Sequence, residues 1–571
     1  MESDATRTRP KFERKSRSEK RLANPLVKGI VAFCAKRGIV IATNEEGASS
    51  SLAAEASIPA QMSRGTSDFQ CETSRSSLQV SLSFSDLPKR YTLYAPLLLL
   101  AHNFPTRNPR WRDFYNALSQ PERSELFKCI AEEGFAGLGV SRIAVNAPIA
   151  AEENGEEVNE PERPEAWAGK YPSIRPDPDV HDKDLTTMTN PTDSDTEVQV
   201  PSQKRRQHIL RSPSGLVPVY GDWGPQPRQI PSPKGRLLLT DPTTRDFSEA
   251  FWTSTTQHRG IMQCWAPLYT MFSRGNVSEK ARILGLAPAS TSPSAGEKAE
   301  IGGRFPGLSP PALDEPIEAV DVIDFYVGIG YFAFCYLACR VRRVWGWDIN
   351  PWSIEGLRRG CERNGWGCVV VRVDEDGKLV GMGVKELVER VVGVQGDTNV
   401  RNGGRMAKGT ENVGGARIGA GNESGRGNEE RADVIKCVAF LGDNKWADKV
   451  MREVRCEFDG QERGLNVRHV NLGLLPTSGG SWENAIRMVT GSYNQGKGGW
   501  LHVHENVDIG RIDEMKGNIV QGIERLASRE AGREGNQRTH WVVSCVHVEE
   551  VKTYAPGVMH CVFDIEIKAN G

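Results

Sequence analysis

The stretch VIDFYVGIGYFAFCYLACRVRRVWGWDINPWSIEGL, Val322 to Leu357, decides the fold. An apolar run ends in a Gly-x-Gly turn, small and apolar residues follow at helical spacing, and a second apolar run ends in an acid. This order predicts a strand, a tight turn, a helix and a parallel strand, the unit of an α/β sheet covered by helices on both faces. Gly328 and Gly330 let the backbone pass close to a ligand at the strand's carboxyl end. Eighteen residues past Gly330 stands Asp348, placed to accept hydrogen bonds from both hydroxyls of a ribose. The turn has Tyr331 and Phe332 where a dinucleotide fingerprint carries its third glycine, which favours adenosylmethionine over a pyrophosphate cofactor.

Further strands follow the same pattern. ADVIKCVAFLGDNKW, residues 432–446, is a strand ending in Asp443 and Asn444, a carboxylate and an amide suited to reading the adenine amino group and ring nitrogen. LNVRHVNLGLLPTSGGSW, residues 465–482, ends in Asn471, with Leu472, Gly473 and Pro476 in a loop expected over the reactive end of the ligand. GGWLHVHENVD places His502 and His504 on one face of a strand. No third and fourth ligand stand at matching spacing, so the pair is read as structural and no metal is expected.

Beyond these strands the chain is uneven. Residues 1–85 read as a disordered basic tail, 86–150 as a small N-terminal domain and 151–212 as an acidic, polar linker. Residues 213–290 open the catalytic region, 291–316 form a flexible loop, and 317–571 carry the main sheet. The Gly/Asn/Arg-rich segment 392–431 cannot bury a core and reads as a disordered insertion. The 72 basic and 73 acidic residues nearly cancel, so attraction for a polyanion must come from local patches. The twelve cysteines include no Cys-x-x-Cys pair; Cys335 and Cys339 fall on the first predicted helix, and all are read as reduced thiols. No window reaches the length of a membrane span. The acids Glu2, Asp4, Glu13 and Glu19 argue against a transit peptide, so a cytoplasmic location is expected.

WAPLYTMFSRGNVSEKARIL, DFYVGIGYF, DINPWSIEGLRRGCERNGW, FLGDNKWA, VNLGLLPTSGGSWENA, LHVHENV and KTYAPGVMHCVFDIEI together resemble the tRNA wybutosine-synthesizing protein 2 family. These enzymes are tRNA 4-demethylwyosine α-amino-α-carboxypropyltransferases, related to the tRNA guanine-N1 methyltransferases. The resemblance runs from Gly215 to Ile567 outside the insertions. It implies a Rossmann-like class I methyltransferase fold, with a mostly parallel doubly wound sheet and a smaller N-terminal α+β region. S-adenosylmethionine is the implied donor and the anticodon loop of phenylalanine tRNA the implied partner. Ser273, Lys280, Asp348, Asp443 and Asn444 are the implied cofactor contacts, although relatives usually carry Glu where Asp348 stands.

The loop NLGLLP offers Asn471, Leu472 and Gly473 as positioning residues, with no catalytic acid or base assigned. Glycine at 473 opens space where the methyltransferase relatives carry proline, which favours aminocarboxypropyl transfer over guanine methylation. A non-catalytic tRNA-binding protein is the third reading. Lys204, Arg205, Arg206, Arg211, Arg358 and Arg359 are candidate phosphate contacts. Trp265, Tyr269 and Phe272 are candidates for stacking an extruded base.

Overall fold

The strand run Asp321–Asp324 is buried at every position, and its alternate side chains leave for opposite faces of a sheet. In the computed structural model Val322 meets one helical layer and Ile323 the other. The structure describes residues 24–42, 82–146, 216–225, 240–256, 258–271, 276–286, 305–309, 312–393, 434–458, 464–491, 493, 496–533 and 540–570. The expected linker 151–212 and most of the expected insertion lie outside these residues, as do Ser273, Lys204, Arg205, Arg206, Arg211 and Phe272. The chain divides into two units, the first holding residues up to 200 and 213–229, the second holding 201–212 and 230–571.

In the first unit, helix α1 (Pro25–Lys36) lies in the stretch expected to be a disordered tail. PLVKGIVAFCAK carries an apolar stripe that buries Leu26, Val27, Ile30 and Phe33, and the Asn24 side chain caps the helix by accepting from the N–H groups of Leu26 and Val27. The charged residues on both sides masked this short stripe. Strands β1 (Ile41–Ala42) and β2 (Leu82–Ser83) pair with each other. A four-stranded sheet holds β3 (Tyr91–Tyr94), β4 (Leu97–Leu100), β5 (Arg142–Asn146) and β6 (Leu216–Tyr220), in that order. Helices α2 (Pro109–Ala117) and α3 (Gln120–Cys129) bring Trp111, Phe114 and Phe127 into its core. Strand β6 corrects a boundary. Residues 216–220 complete this sheet beside β5 and do not open the catalytic region, because LVPVY supplies the edge that β5 lacks.

The second unit begins with α4 (Thr244–Ala250) and the hairpin β7 (Thr253–Thr256) and β8 (Met262–Trp265), followed by α5 (Val277–Ile283). The main sheet then forms from β9 (Asp321–Asp324), β10 (Arg343–Asp348), β11 (Gly367–Val373), β12 (Leu379–Val380), β13 (Ile435–Leu441), β14 (Val467–Leu472), β15 (Gly499–Asp508), β16 (Trp541–Ala555) and β17 (Val558–Ala569). Their spatial order is β12-β11-β13-β10-β9-β14-β15-β17-β16. From β11 to β15 every neighbour is parallel; β12, β17 and β16 run antiparallel to theirs.

One face is covered by α8 (Val384–Val392), α9 (Ala447–Phe458), α10 (Trp482–Thr490) and α11 (Ile512–Arg533), against Ile323, Trp345, Trp347 and Phe440. The other is covered by α6 (Ala333–Ala338) and α7 (Pro351–Arg363), against Val322, Val344 and Ala439. This is the doubly wound arrangement expected from the alternation of strands and helices. The described part of the supposed flexible loop is packed. Phe305 and Leu313 are buried, and a Cβ on Gly307 would strike the Trp500 ring at 2.5 Å. Arg468 at the foot of β14 holds Asp314 and Glu315. No described helix is long and apolar enough to cross a membrane.

Candidate active site

Because β9, β10, β13 and β14 are parallel neighbours, their carboxyl ends open on one edge, the place where open α/β sheets bind ligands. The turn after β9 holds Gly328 at φ +54° and Gly330 at φ +87°. A Cβ on Gly328 would sit 2.3 Å from the Tyr331 ring, and one on Gly330 would sit 2.6 Å from the Phe334 ring. Both conformation and space therefore demand glycine. The turn is fastened to the end of β10: Gly328 N donates to Asp348 Oδ2 at 3.0 Å, and Asn350 N donates to Asp348 Oδ1 at 2.8 Å. Each carboxylate oxygen keeps further acceptor capacity, which two ribose hydroxyls can use. Burial pushes the Asp348 carboxyl up to about 6, against the pull of the Asn350 and Gly328 N–H groups.

Asp324, at the end of β9, went unnoticed in the sequence although it stands four residues before Gly328 in the quoted stretch. Its Oδ1 accepts from Asn471 Nδ2 at 3.1 Å and from Tyr326 N at 3.2 Å, while its buried Oδ2 finds no hydrogen-bond partner among the described residues. Burial raises this carboxyl to about 7; the two N–H donors oppose the shift and the charge of Asp348 adds to it. Asn471 and Leu472 are buried inside β14, not in the loop expected to cover the ligand, because the amide of Asn471 is turned inward onto Asp324. Only Gly473 starts that loop, and a Cβ there would approach Asn471 Nδ2 at 3.3 Å and the Phe332 ring at 3.6 Å. Glu505 fixes the next turn by accepting from Thr477 Oγ1 and Ser478 N at 3.0 Å each.

Lys280 is 2% exposed on α5. Its Nζ lies 3.4 Å from Gln263 Oε1 and 5.7 Å from the centre of the Tyr331 ring, and Gln263 Nε2 donates to Gly330 O at 3.2 Å. Lys280 is thus joined to the glycine turn through one amide side chain. Among the described residues no carboxylate forms an ion pair with this ammonium, and burial pulls its pKa down. Its neighbours on α5 are paired instead: Arg282 binds Glu279 at 2.8 Å and Asp564 of β17 at 2.5 Å.

From Asp564 a chain of buried rings continues. His502 Nδ1 lies 2.7 Å from Asp564 Oδ1, His502 Nε2 lies 3.0 Å from His469 Nδ1, and His469 Nε2 lies 2.9 Å from Gly307 O. With Asp564 held ionised, His502 Nδ1 is the donor in the first of these contacts. His504 instead pairs with His560 at 3.0 Å. Both histidines of the LHVHENV stretch are therefore committed to side-chain hydrogen bonds.

The remaining expectations divide. Asp443 caps the turn after β13 by accepting from Lys445 N at 3.0 Å, with a partly exposed carboxylate at the ligand edge. Asn444 is turned away from an adenine-reading role: its Nδ2 donates to Phe325 O at 2.7 Å, and Ser481 Oγ donates to its Oδ1 at 3.5 Å. Its amide braces β9 against β13. Arg358 and Arg359 are both engaged by Glu355, at 2.8 and 2.7 Å, which neutralises much of their field for a phosphate. Trp265 and Tyr269 are core residues; Trp265 donates to Thr255, and Tyr269 stacks on Trp352 with centres 3.7 Å apart. Neither ring is open to an extruded base.

No family model matches the chain. It is 26% identical over 482 residues to tRNA wybutosine-synthesizing protein 2 of Schizosaccharomyces pombe, covering 84% of this chain and 73% of the relative. It is 26% identical over 365 residues to tRNA wybutosine-synthesizing protein 2 of Saccharomyces cerevisiae, covering 63% of this chain and 57% of the relative. Among solved structures it aligns with P. horikoshii TYW2 in complex with MeSAdo, at 13% identity and a TM-score of 0.36, over 85% of this chain and 93% of that one. Two relatives from different organisms carry one name, and the chain is similar in sequence to tRNA wybutosine-synthesizing protein 2.

Proposed function

We propose that the protein transfers the α-amino-α-carboxypropyl group of S-adenosylmethionine to 4-demethylwyosine beside the anticodon of phenylalanine tRNA, releasing methylthioadenosine, and that it does so in the cytoplasm. The observation that carries this reading is Lys280, a buried ammonium that meets no carboxylate among the described residues and is tied through Gln263 to the glycine turn. An isolated buried cation is costly unless a ligand completes it, and the donor's amino-acid arm ends in a carboxylate.

The edge fits the rest of that donor. Asp348 would take the ribose hydroxyls, Gly328 and Gly330 would admit the backbone-close passage of the sulfonium end, and Asp443 would read the adenine. Ser273 is proposed as a further contact from the same segment as Lys280. Asn444 would serve indirectly, by holding Phe325 and hence the turn. Asn471, Leu472 and Gly473 would set the position of the acceptor, with Asn471 acting through Asp324.

The sulfonium supplies three electrophilic carbons, and the pose alone selects which one reacts. In the proposed step the acceptor base forms a bond to the methylene carbon of the amino-acid arm that is bound to sulfur, the C–S electron pair returns to sulfur, and the acceptor atom gives up its proton. Fixing the arm's carboxylate on Lys280 anchors the transferred group at a second point besides the adenosine, which is catalysis by positioning. Incubation with adenosylmethionine and tRNA bearing 4-demethylwyosine tests the reading. An aminocarboxypropyl mass gain with methylthioadenosine is expected; adenosylhomocysteine with methylated guanosine would establish the methyltransferase reading instead.

A further inference from the structure

Three cysteines remote in sequence converge between α7 and the sheet. Cys361 lies on α7, Cys368 on β11 and Cys437 on β13, and their sulfurs all lie within 4.8 Å of one another. Cys361 and Cys437 are fully buried, and Cys368 is half-buried. The juxtaposition depends on a bulge: Gly367 pairs with Ile435 while the next residue, Cys368, pairs with Cys437, so Lys436 is left over. Only glycine permits the approach, since a Cβ on Gly367 would stand 2.6 Å from Val434 O. The bulge brings Cys368 opposite Cys437 on the face covered by α7, where Cys361 meets both.

We propose that Cys361, Cys368 and Cys437 form a three-sulfur site for one soft, thiophilic metal ion, with cuprous copper as its match. A metal–sulfur distance of about 2.3 Å sets sulfur–sulfur edges of about 4 Å around a trigonal ion, so the triad closes on a metal with little movement. Thiolates select soft ions, and three ligands without a fourth suit a cuprous centre better than tetrahedral zinc. No other His, Cys, Asp or Glu among the described residues joins the cluster. Uptake releases the thiol protons as the sulfurs bind. Hydrogen bonds from Cys361 and Cys437 already pull the Cys368 thiol well below its ordinary range, and Arg358, one turn before Cys361 on α7, adds to the pull. The site is independent of the donor pocket: Cys368 and Cys437 lie four residues below the Arg372–Leu441 pair near the ligand edge, about 13 Å along the strands.

The test uses the full chain, reduced and metal-free, titrated anaerobically with cuprous ion against a colorimetric cuprous chelator. One equivalent should be retained per chain, with an X-ray absorption first shell of sulfur only. Cys368→Ser, at the half-buried position, and Cys361→Ala should each weaken retention at least tenfold, while Cys456→Ser, an exposed control, should not. Retention equal in all three variants, no retention by the parent chain, or zinc held more tightly than copper would overturn the proposal. So would a parent chain lighter by two hydrogen atoms after exposure to air with no metal taken up, since that marks a disulfide pair formed by dioxygen.

Discussion

Asn471 Nδ2 donates to Asp324 Oδ1 at 3.1 Å, leaving Asp324 Oδ2 buried and without a hydrogen-bond partner among the described residues, beside the glycine turn. This pair joins the ends of β14 and β9, the two central strands between which the chain reverses its direction across the sheet. A carboxyl held there in its neutral form can donate as well as accept.

The pair predicts a pH-dependent gain from Asp324→Asn. The folded carboxyl is raised to about 7 from an ordinary value of 3.8, so the folded chain holds the proton more tightly than the unfolded chain. Wild-type stability from this group is present below the unfolded value and is lost as pH rises through about 7. The amide cannot ionise and keeps the acceptor for Asn471. Urea unfolding at pH 8 should show the variant more stable by an amount on the order of 2–4 kcal/mol, with the gap closing toward pH 4. A difference that does not change between the two pH values would refute the assignment.

The proposed ribose contact makes Asp348 a test of donor affinity. Asp348→Ala removes a carboxylate that holds both the turn and, in the proposed complex, two hydroxyls, and should weaken adenosylmethionine by about 2–4 kcal/mol in calorimetry. Asp348→Glu should keep much of the binding. Because the carboxyl titrates at about 6, wild-type affinity should be flat above that pH and decline below it, by up to about tenfold per unit. Unaltered affinity in a folded Asp348→Ala chain would remove this residue from the site.

Lys280→Met separates the two ends of the donor. Adenosylmethionine binding should weaken at least tenfold, whereas methylthioadenosine, which lacks the amino-acid arm, should bind as before. The same change deletes a buried ammonium whose hydrogen bond among the described residues is to Gln263 at 3.4 Å, so the melting temperature should hold or rise. Equal losses for both ligands would show that Lys280 shapes the pocket without meeting the arm.

Much of this edge is legible in the sequence, because the features that build it are local. Period-two and period-three patterns mark β9, α6 and β10, and a glycine pair followed by an acid marks the turn and Asp348. Roles that depend on distant partners are not legible. Asn444 reads as an adenine contact until Phe325, more than a hundred residues earlier, is seen to take its amide. Asn471 reads as a loop residue until Asp324 draws it inward. The cysteine triad has no spacing signature, since its members come from a helix and two strands that meet only in the folded sheet. Tyr269 and Trp265 look available for stacking until Trp352 and Thr255 claim them. Helix α1 is hidden for the opposite reason: its stripe is local, but short and flanked by charge.

The placement of Lys280 rests on its neighbours, which gives a last prediction. Arg282 binds Glu279 and Asp564 while 8% exposed, so α5 is pinned to β17 by a buried ion triad. Removing one partner of such a cluster leaves the others charged and unpaired, which typically costs about 3–5 kcal/mol. Asp564→Asn keeps an acceptor for Arg282 but removes the buried negative charge that balances the guanidinium. The variant should therefore be strongly destabilised, and donor affinity should fall with it as α5 loosens. Glu279→Gln should cost less, because burial already lifts the Glu279 carboxyl to about 7 against the pull of Arg282. Asp564 behaves oppositely: despite burial, His502 and Arg282 hold it at about 2. Its stabilising contribution is complete above about pH 4 and is lost as pH falls toward 2. Acid unfolding of the wild type should thus include a component near that range that is absent in Asp564→Asn, and identical acid profiles would show that the ion triad does not hold α5 in place.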